Sequence, residues 1–239
     1  FGDEQLRRLA AALIRSHVAR GQHVFGFTGC KPGAGTSSLV LELAVTLRAL
    51  GYRVLAVEAN GLSRDARYAS ARPGLAELLH GQAGAGDVVA EGTDTLPPRV
   101  AVATDSAKGP IAIERLDRLG AALADWSAEA EFVLVDMPPL LTSADAELLL
   151  RCVGSVLLVV EAGAVTRGEV TRASRLLQTI DPEAVGLVVN RVSPFTGGGY
   201  LRELMLESIS GRRLGTVFTL SRWRLLASTL FLRHKRDRA

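Results

Sequence analysis

Residues 28–38, Thr-Gly-Cys-Lys-Pro-Gly-Ala-Gly-Thr-Ser-Ser, have the composition and spacing to seat a phosphate. The successive backbone N–H groups of Gly33, Ala34 and Gly35, with a helix starting behind them, form a concave anion site. Ser37 stands where such a loop places the hydroxyl that binds Mg²⁺, and Ser38 follows it along the phosphates. The residue before Ser37 would be the lysine that reaches the β- and γ-phosphates, but here it is Thr36. Threonine donates a hydrogen bond and carries no charge. The sequence therefore keeps the phosphate seat and lacks the cation that draws charge off a phosphoryl group in transfer. Two acidic positions complete the set. Asp136 follows four apolar residues, the arrangement that holds Mg²⁺ directly or through water, and Glu58 with Asn60 ends another apolar run. Ser37, Glu58 and Asp136 are the candidate Mg²⁺ ligands. Read only for structure, Asp136 would cap the turn after it and Glu58 would be an ordinary acidic strand end.

Positioning these residues requires strands that end beside one another. Apolar runs of strand length recur at His23–Thr28, Arg53–Ala59, Arg99–Thr104, Phe132–Met137, Ser155–Ala162 and Val185–Val192. Several are continuous Val/Leu/Ala segments without alternation, as parallel strands covered on both faces require. Helical patterns lie between them at Ser37–Leu50, Ile111–Ser127, Ala144–Cys152 and Arg167–Ile180. This alternation predicts an α/β fold with a doubly wound, mainly parallel sheet flanked by helices, whose ligands bind outside the carboxyl ends of the strands. A further helix is predicted from a cap at Asp3 to about Arg20. Its Leu6, Leu9, Leu13 and Ile14 share one face, for the sheet or for a neighbouring subunit. The stretch from His80 to Pro98 reads as loops around a short helix, and Gly197–Gly199 as a break after the last strong strand.

Composition narrows the function classes. The chain has 239 residues, 48% hydrophobic and 22% charged, enough for one large core. Cys30 and Cys152 do not make a disulfide framework, which favours a reducing compartment. His17, His23, His80 and His234 have no metal-ligand spacing, and no nucleophile-elbow sequence supports serine hydrolase chemistry. No apolar run approaches the ~20 residues of a membrane span, and no signal peptide is visible. The chain opens on Phe1 and reads as a piece of a longer protein. The net charge of +3 is uneven: residues 212–239 carry eight Lys or Arg against one Asp, leaving residues 1–211 at −4. The division is therefore a P-loop domain over 1–211 and a basic C-terminal tail over 212–239. Within the tail, Leu220, Trp223, Ala227 and Leu230 fall at helical spacing among Arg222, Arg224 and Arg233. That stripe either docks on its own domain or lies on an anionic membrane surface.

Taken together, these motifs resemble the cytoplasmic domain of bacterial tyrosine kinases, the P-loop modules attached to polysaccharide co-polymerases. Thr28–Ser37, TGCKPGAGTS, follows the family's loop. Val54–Asn60, VLAVEAN, stands in place of its apolar strand ending Asp-x-Asp. Asp136-Met137-Pro138-Pro139 matches its Asp-x-Pro-Pro, with Ala144-Asp145-Ala146 after it, and Pro73-Gly74-Leu75 with Leu78-Leu79-His80-Gly81 resembles its Gly-Leu…Leu-x-Gly segment. Val185–Val192, VGLVVNRV, is similar to its last strand, whose Asn-Arg pair, here Asn190 and Arg191, borders the nucleotide base. The resemblance covers about residues 4–192. It implies a P-loop NTPase-like fold related to Min and Par ATPases, ATP or ADP with Mg²⁺ as cofactors, and catalytic work by the loop lysine and the aspartates.

The departures are equally specific. The lysine is Thr36, the Asp-x-Asp pair is Glu58 and Asn60, and the subunit-contact motif survives only as Glu4, Arg7 and Ala10. The chain's tyrosines are Tyr52, Tyr68 and Tyr200, without the family's C-terminal tyrosine cluster. Lys31 has the offset of the signature lysine of Min- and Par-type ATPases. It is read either as a partial replacement for the lost charge, in cis or on a partner, or as an exposed loop lysine. The expectation is a cytoplasmic module at the inner face of the bacterial membrane, regulating exopolysaccharide or capsule polymerisation or export with weak or absent ATPase and kinase activity. Its expected partner is a membrane-embedded co-polymerase or export component, with self-association possible and no nucleic acid. The alternatives are an active tyrosine autokinase using Lys31 and a Min/Par-like membrane-associated ATPase using the tail.

Overall fold

In the computed structural model, residues 3–60, 73–93, 96–101, 115–192 and 216–221 are described. Strands β1 (Val24–Gly29), β2 (Val54–Glu58), β5 (Phe132–Asp136) and β6 (Ser155–Glu161) are almost wholly buried, as their unbroken apolar sequences require. With β3 (Val89–Ala90), β4 (Arg99–Val100), β7 (Ala184–Val192) and β8 (Thr216–Ser221), they form an eight-stranded sheet in the order β3-β4-β2-β5-β1-β6-β7-β8. Every neighbouring pair is parallel except β3–β4. The predicted doubly wound α/β architecture is the one observed.

Alternate residues of the central strands feed two cores. Phe25, Phe27, Phe132 and Leu134 face α1 (Asp3–Arg20) and α2 (Thr36–Ala49), where Leu9, Leu39, Leu43 and Leu47 are fully buried. Val133, Val135, Leu158 and Val160 face the other way, toward α3 (Leu75–Leu79), α4 (Leu116–Glu129), α5 (Ala144–Leu150) and α6 (Arg167–Ile180). Burying each such side chain is worth ~1.5–3 kcal/mol, and the two layers together fix the sheet between them. The apolar face of α1 is covered by this domain itself: Leu6, Leu9 and Leu13 are buried and Ile14 packs half-buried against them.

The structure differs from the sequence reading in two places. Within the described part of 80–98 there is no helix; the short helix lies just before it as α3. Glu77 closes α3 by accepting the Gly74 N–H at 2.9 Å, whereas the glycines after it favour turns. The second difference is β8. Thr216–Ser221, read as part of the basic tail, pairs in parallel with β7, so Leu220 lies in a strand and not at the start of a helix. Thr, Val and Phe are strand formers, and that local preference prevails over the basic composition around them. The rest of the predicted tail helix, Gly197–Gly199, Tyr68, Tyr200, residues 102–104 of the third predicted strand and residues 111–114 of the second predicted helix lie outside the described residues. Among the described residues, no helix is long and apolar enough to cross a membrane.

Candidate functional site: a phosphate-binding loop without its lysine

The candidate residues converge at the carboxyl end of the sheet. β1 stops at Gly29, and the chain turns through Cys30–Gly35 into α2. Gly33 and Gly35 adopt φ of 87° and 84°, a left-handed conformation that a side chain would resist. Gly35 is the N-cap of α2 and supplies no side-chain cap, and the first turn holds no acidic residue. That end of the helix carries its partial positive charge toward the loop. Thr36, Ser37 and Ser38 lie half-buried at the start of the helix. A Cβ added to Gly29 would sit 2.9 Å from the Lys31 carbonyl and 3.2 Å from Thr36 Oγ1, so the end of β1 has no room for a side chain beside the loop.

The loop is fastened on two sides. Toward β5, Thr28 Oγ1 donates to the Pro138 carbonyl at 2.7 Å, and the Leu140 N–H donates to Gly29 O at 2.8 Å. These bonds tie the loop to the Asp-Met-Pro-Pro turn. Toward β7, Asn190 Nδ2 donates to Ala34 O at 2.8 Å and Arg191 Nη1 donates to Gly33 O at 3.1 Å. The same guanidinium pairs with Glu161 at 3.0 Å. Asn190 and Arg191, expected beside a nucleotide base, thus have polar atoms engaged on the loop itself.

Glu58 and Asp136 end adjacent parallel strands and stand directly in register. They are 2% and 0% exposed, and Asn60 is buried close by in sequence. Two carboxylates buried side by side are costly unless cations or donors offset them. Oxygen-only donors of this kind, with the Ser37 hydroxyl at the start of α2, suit Mg²⁺, which takes one or two carboxylates and completes its shell with waters and substrate phosphates. Among the described residues no group of three or more His, Cys, Asp or Glu side chains forms a metal site.

Lys31 points elsewhere. Its Nζ lies 2.9 Å from Glu169 Oε1 on α6. Glu169 also accepts the Thr166 N–H at 2.8 Å and the Thr166 hydroxyl at 3.0 Å, closing a capping box. The Thr166 N–H, the bond to Lys31 and the Thr166 hydroxyl bring its carboxyl down to about 2. Cys30 is fully buried, and that burial, with the Glu169 charge as a smaller cause, pushes its thiol up to about 12. It is an inert thiol at neutral pH. Sequence reasoning missed Glu161, Thr166, Glu169 and Thr28. Thr166-x-x-Glu169 is legible as a capping box, but its link to Lys31 is a tertiary contact that no local pattern encodes.

Comparison with known proteins extends this picture. No family model matches the chain. EpsB of Ralstonia nicotianae (strain ATCC BAA-1114 / GMI1000), whose name assigns it provisionally to the tyrosine-protein kinases, is 30% identical over 197 residues, covering 81% of the chain and 26% of EpsB. The chain thus spans about a quarter of the length of that relative. Among solved structures, the BceF tyrosine kinase domain is similar at a TM-score of 0.66 and 32% identity, over 76% of the chain and 74% of that domain. A cobyrinic acid a,c-diamide synthase from Mycobacterium smegmatis, solved with bound ADP and magnesium, shares the fold at a TM-score of 0.63 and 20% identity, over 81% and 84% of the two chains.

Proposed function

The chain belongs to the bacterial tyrosine kinases, and from that premise we propose that it is a phosphate-binding domain of this family in which phosphoryl transfer is weak or lost. The observation that carries the reading is Thr36. The side chain at the lysine position is uncharged, while the loop's own cation, Lys31, is paired with Glu169. Gly33, Ala34, Gly35, Thr36, Ser37 and Ser38 would hold nucleotide phosphates, and Ser37, Glu58 and Asp136 would hold Mg²⁺. When bound, Mg²⁺ would neutralise charge across the β- and γ-oxygens. Loss of one preorganised electrostatic group of this kind costs about 10²–10³ in kcat.

In this role the domain acts chiefly through docking, on the cytoplasmic side of a membrane-embedded polysaccharide co-polymerase or export component, regulating exopolysaccharide or capsule assembly. Support comes from the family assignment and from the intact Asp-Met-Pro-Pro and Asn-Arg elements. The test is phosphotyrosine formation and phosphate release by the purified domain with Mg²⁺ and ATP, for which we expect background levels. Robust autophosphorylation would refute the reading. If Lys31 did serve in place of the missing lysine, Lys31→Ala would abolish that signal and Thr36→Ala would barely change it. The 2.9 Å contact between Lys31 and Glu169 argues against such a role.

A further inference from the structure

The end of β7 is built irregularly. Its ladder with β8 shifts register between Val189 and Val192, and Arg191 takes φ 55°, a left-handed conformation uncommon for a residue with a long side chain. Strain of this kind persists where the surroundings impose it, and it clusters at functional sites. Here the consequence is geometric. Asn190 is 3% exposed; its Oδ1 accepts the Arg191 N–H at 2.8 Å, and its Nδ2 donates to Ala34 O at 2.8 Å. Arg191 Nη1 reaches Gly33 O at 3.1 Å and Glu161 at 3.0 Å. Two consecutive residues of β7 therefore hold two consecutive carbonyls of the phosphate loop.

In a planar trans peptide the carbonyl and the following N–H point in opposite directions. Fixing the Gly33 and Ala34 carbonyls toward β7 fixes the N–H groups of Ala34 and Gly35 away from it, and these are N–H groups of the anion seat. We propose that Asn190 and Arg191 are positioning residues that aim the Ala34 and Gly35 N–H groups at a phosphate, acting through the loop and independently of any base. The proposal deepens the phosphate-binding reading above and rests on it for its ligand. With Thr36 uncharged, the backbone N–H groups carry more of the phosphate interaction, so their aim matters more here than beside a lysine.

The test uses the full chain and two readouts. Asn190→Asp keeps the side-chain shape and the acceptor for the Arg191 N–H but sets an oxygen against the Ala34 carbonyl; Arg191→Gln removes the longer contact from a more exposed position. The first readout, without ligand, is the ¹⁵N order parameters of Ala34 and Gly35, which should fall from about 0.85 toward 0.6 in both variants. The second is calorimetric binding of tripolyphosphate and of ADP, each with Mg²⁺. Both ligands should weaken by the same factor, about tenfold in Asn190→Asp, as expected for loss of one buried hydrogen bond, and less in Arg191→Gln, whose contact is exposed. Unchanged order parameters would overturn the proposal. So would loss of ADP binding with tripolyphosphate binding intact, the signature of a base contact. Should the natural chain bind neither ligand, the phosphate-binding reading fails, and the order parameters still decide whether β7 orders the loop. If Asn190→Asp does not fold, Arg191→Gln carries the same comparison.

Discussion

Threonine at position 36 removes a full charge from the phosphate seat yet leaves its backbone intact, because the loop's shape comes from Gly33, Gly35 and the bonds of Thr28, Asn190 and Arg191. Two cations at the loop are committed to acids, Lys31 to Glu169 and Arg191 to Glu161. The first pair has a definite pH signature. The Glu169 carboxyl lies at about 2 in the fold against an ordinary 4.5, a depressed value, so its stabilising contribution is complete above pH 4.5 and fades as the pH falls toward 2. Glu169→Gln should therefore lower thermal stability slightly at pH 7, and the gap to the natural chain should close between pH 4.5 and 2. Added salt should shrink it too, since the pair is open to solvent. A gap that stays constant from pH 7 to pH 2 would show that the carboxylate is not what stabilises. At this scale the phosphate loop, Glu58 and Asp136 were legible, because their spacing relative to apolar runs encodes where strands end. The partners of Lys31 and Asn190 were not, since each lies on an element distant in sequence and is brought near only by the fold.

Among the elements, the parallel strands could be read from their continuous apolar sequences, and helix α6 from its helical pattern over Arg167–Ile180. β8 could not. Thr216–Ser221 is short and sits in a strongly basic surrounding, so composition outweighed strand propensity in the reading. Its pairing with β7 places it next to the strand that fastens the phosphate loop, and α1 packs against it as well. A chain cut after Gly215 loses this strand and leaves β7 as an open edge, whereas a cut after Ser221 keeps the sheet whole. Thermal denaturation should show a clear loss of Tm for the shorter chain and little change for the longer one. Equal melting temperatures would mean that β8 contributes nothing to the sheet. The comparison also bears on the basic tail, because liposome binding lost already on the cut after Ser221, which leaves the sheet whole, could not be ascribed to damage to the fold.

As a whole molecule, the chain has a P-loop NTPase-like fold, and the proposal is that its chemistry is weakened at a few positions on that framework. Two cores clamp the sheet, the sheet brings Glu58 and Asp136 into register, and α2 begins with uncapped N–H groups at the loop. The family and the fold could be read from sequence, as could the strand ends that carry the candidate residues, because they depend on periodicity and motif spacing. Whether the site turns nucleotide over depends on charge placement within a few ångströms, where a single methylene in Glu58 or an amide in Asn60 matters. The most direct test is calorimetric titration of the full chain with Mg²⁺-ADP and Mg²⁺-ATP, beside a Thr36→Lys version. We expect weak binding by the natural chain and a gain of at least about tenfold on restoring the lysine, the ~1.4 kcal/mol that one charge-assisted contact to phosphate supplies. Tight binding by the natural chain with no gain from lysine would contradict the account, because the missing cation would then not be what limits this site.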